Sequence, residues 1–326
     1  MRFRTQGPKT AVLALLTACL SMPLAAQKTQ AAAGPKSAKL TRGRYLVENV
    51  LVCHYCHSKV DWHSPEGGLP IAGTNLGGNR FPLENFPFPL VAPNVSADKT
   101  TGAGAWSDAQ LANAIRNGIG HDGRVLFPVM PFMQYRSMSD ADLAAVIAYV
   151  RSLPAVKNDP GKSQLPPPVA ASLKAPPRVE HVPVPDLSNP VKRGEYLATL
   201  ADCVGCHTPV DEQGVPLPGL DFSGGQWFKG PWGEVASANI TPDASGISYY
   251  TEKTFVTALR TGHVGARRLS TIMPWGLFKG MTDQDLKSIY AYLKTVKPIQ
   301  HRVDNTEPVA YCKICRAKHG GGELNH

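Results

Sequence analysis

Six of the seven cysteines fall into three CxxC pairs, Cys53/Cys56, Cys203/Cys206 and Cys312/Cys315, while Cys19 stands alone near the start. In the first two pairs the next residue is a histidine, His57 and His207. A CxxCH run can hold a haem covalently. Two thiols add across the vinyl groups, and two intervening residues let both reach from one turn of chain. The adjacent imidazole then lies under the iron as an axial ligand. The same spacing can serve a disulfide, a thioredoxin-like redox pair or half of a zinc site. The redox pair would want a strand before it, and zinc a second ligand pair in each domain. The pattern therefore predicts two haem c groups on Cys53, Cys56, Cys203 and Cys206, with His57 and His207 on the iron. His54, between the first two cysteines, is expected at the surface.

The sixth iron ligand is sought in an internal repeat. Arg42 to Leu46 and Arg193 to Leu197 share an Arg-Gly-x-Tyr-Leu run ahead of the two motifs. Pro93-Asn94-Val95 matches Ala238-Asn239-Ile240, and Ala114 to Gly118 matches Ala258 to Gly262. Met130-Pro131-Phe132 to Val156 matches Met273-Pro274-Trp275 to Ile299 without a gap. Ordered similarity over a hundred residues indicates two copies of one domain. Met130 pairs with Met273 and Met138 with Met281, while Met133 falls opposite Gly276. Met138 and Met281 directly precede helix caps and read as core residues. Met130 and Met273 precede proline in loops, from which a thioether can reach iron on the face opposite histidine, and they are the expected distal ligands. His121 and His263 are the rivals, also in loops, but they do not align with each other.

The elements that must position these groups read as helical. Tyr45, Leu46, Val47, Val50 and Leu51 supply an apolar helix running into the first motif. Ser107-x-x-Gln110 is a capping box that opens a helix ending at Gly118. Ser139-x-x-Asp142 and Thr282-x-x-Asp285 cap the closing helices, whose apolar faces use Leu143, Val146, Ile147 and Val150, and Leu286, Ile289, Tyr290 and Leu293. The loops between, such as Phe81 to Pro93, promise little regular structure. The expected fold is all-α, with two tandem domains whose thin cores need a bulky apolar filler. The boundaries are a signal peptide at 1–26, domain 1 at 38–156, a Pro-rich linker at 157–190, domain 2 at 191–300 and a tail at 301–326. Residues 154–190 hold ten prolines, which makes an extended, stiff connector: a plain linker, or a strap packed along one domain.

Bulk composition narrows the partners. Hydrophobic residues make up 43% and charged residues 18%, as in a globular protein. The net charge of +9 includes three positive charges in the basic start of the signal. Residues 38–159 and 187–300 each hold 11 basic and 10 acidic side chains, so no basic stripe exists for nucleic acid. Arg2, Arg4 and Lys9, the apolar run Ala11 to Leu20 and Leu24-Ala25-Ala26 form an export signal cleaved near Ala26. Leu16-Thr17-Ala18-Cys19 also resembles a lipobox, which would leave a lipid anchor on Cys19. No later segment is apolar for long enough to span a bilayer, so the expected location is periplasmic or otherwise extracytoplasmic, with peripheral or lipid attachment as the membrane alternative.

Taken with the haem motifs, the run Asn239-Ile240-Thr241-Pro242-Asp243, Arg260-x-Gly262, Met273-Pro274 and Met281-Thr282-Asp283-x-Asp285-Leu286 resembles class I cytochrome c domains. In particular it is similar to the multihaem cytochrome c subunits of membrane-bound alcohol, gluconate and related dehydrogenases. The resemblance covers residues 41–156 and 191–299. It implies thioether bonds at the four motif cysteines, proximal His57 and His207, and distal Met130 and Met273. It also implies electron transfer from a dehydrogenase or other donor to an oxidase or another cytochrome, with no catalytic residue of the chain's own. The chain departs from the three-haem pattern of that group. Its third motif, Cys312-Lys313-Ile314-Cys315, is followed by Arg316 and not histidine. That pair reads as a disulfide, with a small metal site using His319 or His326, or an unusual haem attachment with His319, as alternatives. A di-haem peroxidase, a thiosulfate-oxidising enzyme and a subunit whose main task is docking are the other functions that two such motifs admit. The matching Met-Pro loops argue against the peroxidase, which needs an open iron.

Overall fold

The computed structural model describes residue 1 and residues 34–84, 86–305, 310–316 and 318–319. The expected signal peptide, Cys19, the side chain of His319 and all of His326 lie outside the described residues. Domain 1 runs through helices α1 (Pro35–Tyr45), α2 (Cys53–His57), α3 (Asp108–Asn117), α4 (Phe132–Tyr135) and α5 (Asp140–Ser152). A short helix, α6 (Pro167–Ser172), interrupts the connector. Domain 2 repeats the set as α7 (Pro190–Leu200), α8 (Cys203–His207), α9 (Glu252–Thr261), α10 (Trp275–Phe278) and α11 (Asp283–Leu293). No helix among the described residues is long and apolar enough to cross a membrane.

The expectation of an all-α fold needs correction. The described residues also form five two-stranded antiparallel sheets, among them Asn79–Phe81 with Leu90–Ala92 and Trp227–Gly230 with Gly233–Ala236. Four of them lie in loops that contain Gly or Pro, and the fifth, Ala310–Tyr311 with Lys318–His319, lies in the tail. A run too short for a helix still satisfies its buried backbone groups by folding back on itself. Glycine at positive φ makes the turn, as Gly233 does at 84°.

In each domain the first helix crosses the last at a glycine of the Arg-Gly-x-Tyr run. A Cβ on Gly43 would lie 2.0 Å from the Ala145 carbonyl oxygen, and one on Gly194 would lie 1.8 Å from that of Ser288. No side chain can be inserted there, so the two backbones touch. The caps form as their sequences predict. Ser107 and Gln110 exchange both bonds of a capping box, and the hydroxyls of Ser139 and Thr282 accept from the backbone N–H of Asp142 and Asp285. The two repeats differ by one residue in the approach to the motif: Arg42 precedes Cys53 by eleven positions, and Arg193 precedes Cys203 by ten. Domain 1 absorbs the extra residue as a π-helical turn at Leu46–Val50, the usual fate of a one-residue insertion in a helix.

One apolar core runs through both domains. Leu46, Val50, Met138 and Val146 pack in the same cluster as Leu197, Leu200, Met281 and Leu286. A second, aromatic cluster joins the domains: Trp62 meets Trp232 edge-on at 4.8 Å and Phe81 at 5.6 Å. The connector is a strap along domain 1. Asn117 Nδ2 donates to Val179 O at 3.3 Å and Asn117 Oδ1 accepts from its N–H at 2.9 Å. Asp140 N–H donates to Val182 O at 2.9 Å, and Ser163 Oγ accepts from Val91 N at 2.8 Å.

Candidate functional site

Each CxxCH run is a single helical turn, α2 and α8, entered through a residue in the left-handed region, Val52 at φ 45° and Asp202 at φ 53°. That reversal ends the preceding helix and turns the cysteines away from its axis. His57 Nδ1 donates to Pro93 O at 2.8 Å, and His207 Nδ1 donates to Ala238 O at 2.7 Å. A carbonyl can only accept, so the proton is on Nδ1 in both rings, and Nε2 is left with its lone pair. Burial lowers the pKa of both imidazoles, which keeps them neutral and able to ligate.

The loops that carry those two carbonyls are held by the residues that follow them, Asn94 and Asn239. Asn94 Nδ2 donates to Val156 O at 2.7 Å and to Asn158 O at 3.0 Å, while its Oδ1 accepts from Ser96 N at 3.0 Å. Asn239 Nδ2 donates to Ile299 O at 2.8 Å and to His301 O at 3.1 Å, and Oδ1 accepts from Thr241 N at 2.9 Å. In the sequence these asparagines stand out only as markers of the repeat. Their positions, each one residue past the histidine's acceptor, were the available signal of a supporting role.

The methionine loops are shaped by glycine. Gly118 and Gly262 end α3 and α9 at φ 65° and 70°. A Cβ there would lie 2.7 Å from the Phe132 ring and 2.4 Å from the Trp275 ring. These aromatics open α4 and α10 directly after Met130-Pro131 and Met273-Pro274, so the close packing sets where each Met-Pro turn stands. Arg116 adds to this by donating to Met138 O at 2.7 Å, and Arg260 donates to Lys279 O.

Met130 and Met273 are half-buried and line one continuous cavity of about 3570 Å³, together with the four motif cysteines, His57 and His207. Leu76, Phe88, Ile115, Phe255, Leu259 and Ile289 supply apolar wall. Met138 and Met281 are fully or almost fully buried in the core, at 0% and 2% exposure, and of the two only Met281 borders the cavity. Of the rival histidines, His121 borders the cavity but stacks on Trp106 at 4.1 Å, and His263 is exposed with Nδ1 on Thr261 O at 2.9 Å. A flat apolar group with two vinyl edges and a central metal fits this arrangement. It needs an apolar slot, paired thiols at its rim, and a nitrogen lone pair with a thioether in the same cavity.

His54 corrects an expectation. It is 5% exposed, with Nδ1 3.1 Å from Ser58 Oγ. The helical turn folds its ring back toward Ser58, and burial lowers its pKa.

The two motifs border the same cavity, and Tyr55, the residue between the first pair of cysteines, reaches the second domain. Tyr55 donates to Thr271 O of the other domain, and Thr271 Oγ1 donates to Trp62 O at 2.9 Å. Asp202, at the entry to the second motif, interacts with Cys56, Cys203 and Cys206, and burial raises its carboxyl pKa to about 7. Its Oδ1 is buried with no hydrogen-bond partner among the described residues. Nothing in the local sequence marked this carboxylate as a resident of the junction.

Comparison with known proteins agrees with this geometry. The family model described as "Cytochrome C oxidase, cbb3-type, subunit III" matches residues 38–150, and that described as "Cytochrome c" matches residues 191–297. The chain is similar to the cytochrome c subunit of alcohol dehydrogenase (quinone) of Komagataeibacter europaeus, at 27% identity over 282 residues, covering 81% of this chain and 57% of that protein. It is similar to the gluconate 2-dehydrogenase cytochrome c subunit of Pantoea cypripedii, at 28% identity over 278 residues, covering 79% of this chain and 60% of that protein. A diheme cytochrome c-type protein of Cereibacter sphaeroides is 27% identical over 262 residues, covering 76% of this chain and 83% of its own length. The chain thus spans about three fifths of the dehydrogenase subunits. Two matched domains, each with its own CxxCH turn, make this chain a tandem cytochrome c with two haem c groups.

Proposed function

We propose that the chain passes electrons, outside the cytoplasm, from a dehydrogenase-type donor to a respiratory acceptor such as an oxidase or another cytochrome. The observation that carries the reading is that both CxxCH turns, one from each domain, border one apolar-walled cavity. In this reading Cys53 and Cys56 hold one haem and Cys203 and Cys206 the other. Bound haem supplies one-electron redox chemistry. The chain's own residues do the rest. His57 and His207 offer Nε2 with the tautomer held by Pro93 O and Ala238 O. Met130 and Met273 offer a soft sulfur that favours the ferrous state and raises the potential. The apolar walls exclude water and lower the local dielectric. Strap and aromatic cluster keep the two sites at a fixed separation, so that exchange between them needs no rearrangement.

The relatives' printed names support a dehydrogenase as donor, and the export signal read at residues 1–26 supports the location. A redox titration of the purified protein, followed by visible spectra, tests the reading. Two six-coordinate haems at raised potential are expected. A high-spin haem with rapid turnover of hydrogen peroxide would point to a peroxidase.

A further inference from the structure

The two haem sites leave the third CxxC pair unused. Cys312 and Cys315 lie in the turn of the terminal hairpin, between the paired strands Ala310–Tyr311 and Lys318–His319. Arg316 N–H donates to Cys312 O at 2.9 Å, and the positive φ of Arg316, 56°, turns the chain back. Cys315 is 2% exposed and Cys312 half-buried.

His301 meets them from the segment that follows α11. Its ring is completely buried. Nδ1 donates to Ser223 O at 2.9 Å, which fixes the proton there and leaves Nε2 with a lone pair. Nε2 lies 3.2 Å from Cys312 Sγ, and the ligand atoms of His301, Cys312 and Cys315 all lie within 4.8 Å of one another. A tetrahedral zinc ion, with Zn–S of about 2.3 Å and Zn–N of about 2.0–2.1 Å, asks for ligand separations of roughly 3.5–3.8 Å. Small side-chain adjustments separate the two geometries. A metal-bound histidine ordinarily donates its other N–H to a carbonyl or carboxylate, and His301 already does so. Two thiolates and an imidazole are ligands for zinc and not for the oxygen-seeking ions calcium and magnesium.

We propose that His301, Cys312 and Cys315 bind one zinc ion, leaving a fourth position for water or another donor, and that this ion latches the tail hairpin onto the second domain. The latch bears on the loop beneath the second haem site. Ser223, which holds the His301 ring, precedes Gly224, whose N–H donates to His207 O at 2.6 Å. The His301 carbonyl is held by Asn239, which also braces the turn that carries the His207 acceptor. Asn305, on the way to the hairpin, donates to Ala236 O and accepts from its N–H, both at 2.9 Å.

The test uses the full-length, two-haem protein, isolated without chelator or reductant, with Zn²⁺ as the only metal added. After dialysis, plasma mass spectrometry is expected to find about one zinc per chain, and X-ray absorption at the zinc edge two sulfurs at about 2.3 Å and one nitrogen at about 2.0–2.1 Å. Replacing Cys312→Ser and Cys315→Ser together should lower zinc to under about a tenth of that value, with the haem spectrum intact. His301→Ala should do the same. Should that variant fail to mature, the cysteine variant decides alone. Chelation should also make the chain beyond residue 300 more susceptible to protease. A Cys312–Cys315 disulfide found by non-reducing peptide mapping overturns the proposal. So does copper in place of zinc, or a zinc content indifferent to the cysteine replacement.

Discussion

The phenol of Tyr196, in domain 2, donates to the Asp142 carboxylate of domain 1 at 2.8 Å. The matching Tyr45 of domain 1 donates to Asp285 of domain 2. Each aspartate is held at the same time by the arginine of its own domain. Arg42 grips Asp142 through Nε and Nη2, both at 2.8 Å, and Arg193 meets Asp285 at 2.5 Å. The Arg-Gly-x-Tyr run therefore does two jobs. Its arginine closes its own domain, its tyrosine crosses to the other, and the exchange is reciprocal.

This contact carries a pH signature. Burial, and then the charge of Asp142, raise the Tyr196 pKa to about 12, against about 10 in an unfolded chain. The folded value is the higher one, so the stabilisation is complete below pH 10 and is lost as the pH rises toward 12. Tyr196→Phe should destabilise the protein by about 1–3 kcal/mol at neutral pH, because it leaves a buried acceptor short of a donor. It should also flatten the fall in urea midpoint between pH 10 and 12. An unchanged alkaline slope would refute the assignment.

The two methionines of each repeat should separate cleanly. Met130→Ala is expected to remove half of the weak far-red sulfur-to-iron band of the oxidised protein and to lower one midpoint potential. Met138→Ala should leave band and potentials in place and cost about 2–5 kcal/mol in stability, since that side chain is wholly buried in the core. Loss of the band with Met138→Ala would exchange the roles.

Haem content can be counted by mass. The wild-type chain, matured in an export-competent host, should exceed its polypeptide mass by two haems. Replacing Cys53 and Cys56 by alanine should leave one haem, with the ligation signature of the second site unchanged. A gain of three in the wild type would mean that Cys312 and Cys315 also carry one.

Gly194→Ala should be costly although the substitution is small. Its Cβ would meet the Ser288 carbonyl oxygen at 1.8 Å, so α7 and α11 must move apart. Overpacking of this kind costs about 1–3 kcal/mol or more. Gly73→Ala is the control, since nothing lies within 4 Å of its Cβ and only the strain of its positive φ is added. Chemical denaturation followed by the haem spectrum measures both, and the larger loss is expected at Gly194.

Much of this protein is written in short-range spacing. CxxCH reads directly because the chemistry requires two thiols and an imidazole on one turn of chain, and α2 and α8 are such turns. The caps at Ser107, Ser139 and Thr282 read for the same reason: a cap is a contact across three residues. The repeat sets aside Met133, which falls opposite Gly276, while the following proline, against a following helix cap, is what distinguishes Met130 and Met273 from Met138 and Met281. Tertiary structure decided what depends on residues far apart in the chain. Asp142 and Asp285 look like completed helix caps, yet their carboxylates turn to an arginine about a hundred residues away and to a tyrosine of the other domain. His54 has the pattern of a surface residue and is buried. The loops that promised little regular structure pair into hairpins because buried backbone must be satisfied. His301 carries no motif of its own, and it comes to face Cys312 only where the strand of chain after α11 passes Ser223. A local pattern fixes which atoms a residue can offer, and only the packed chain fixes what stands opposite them.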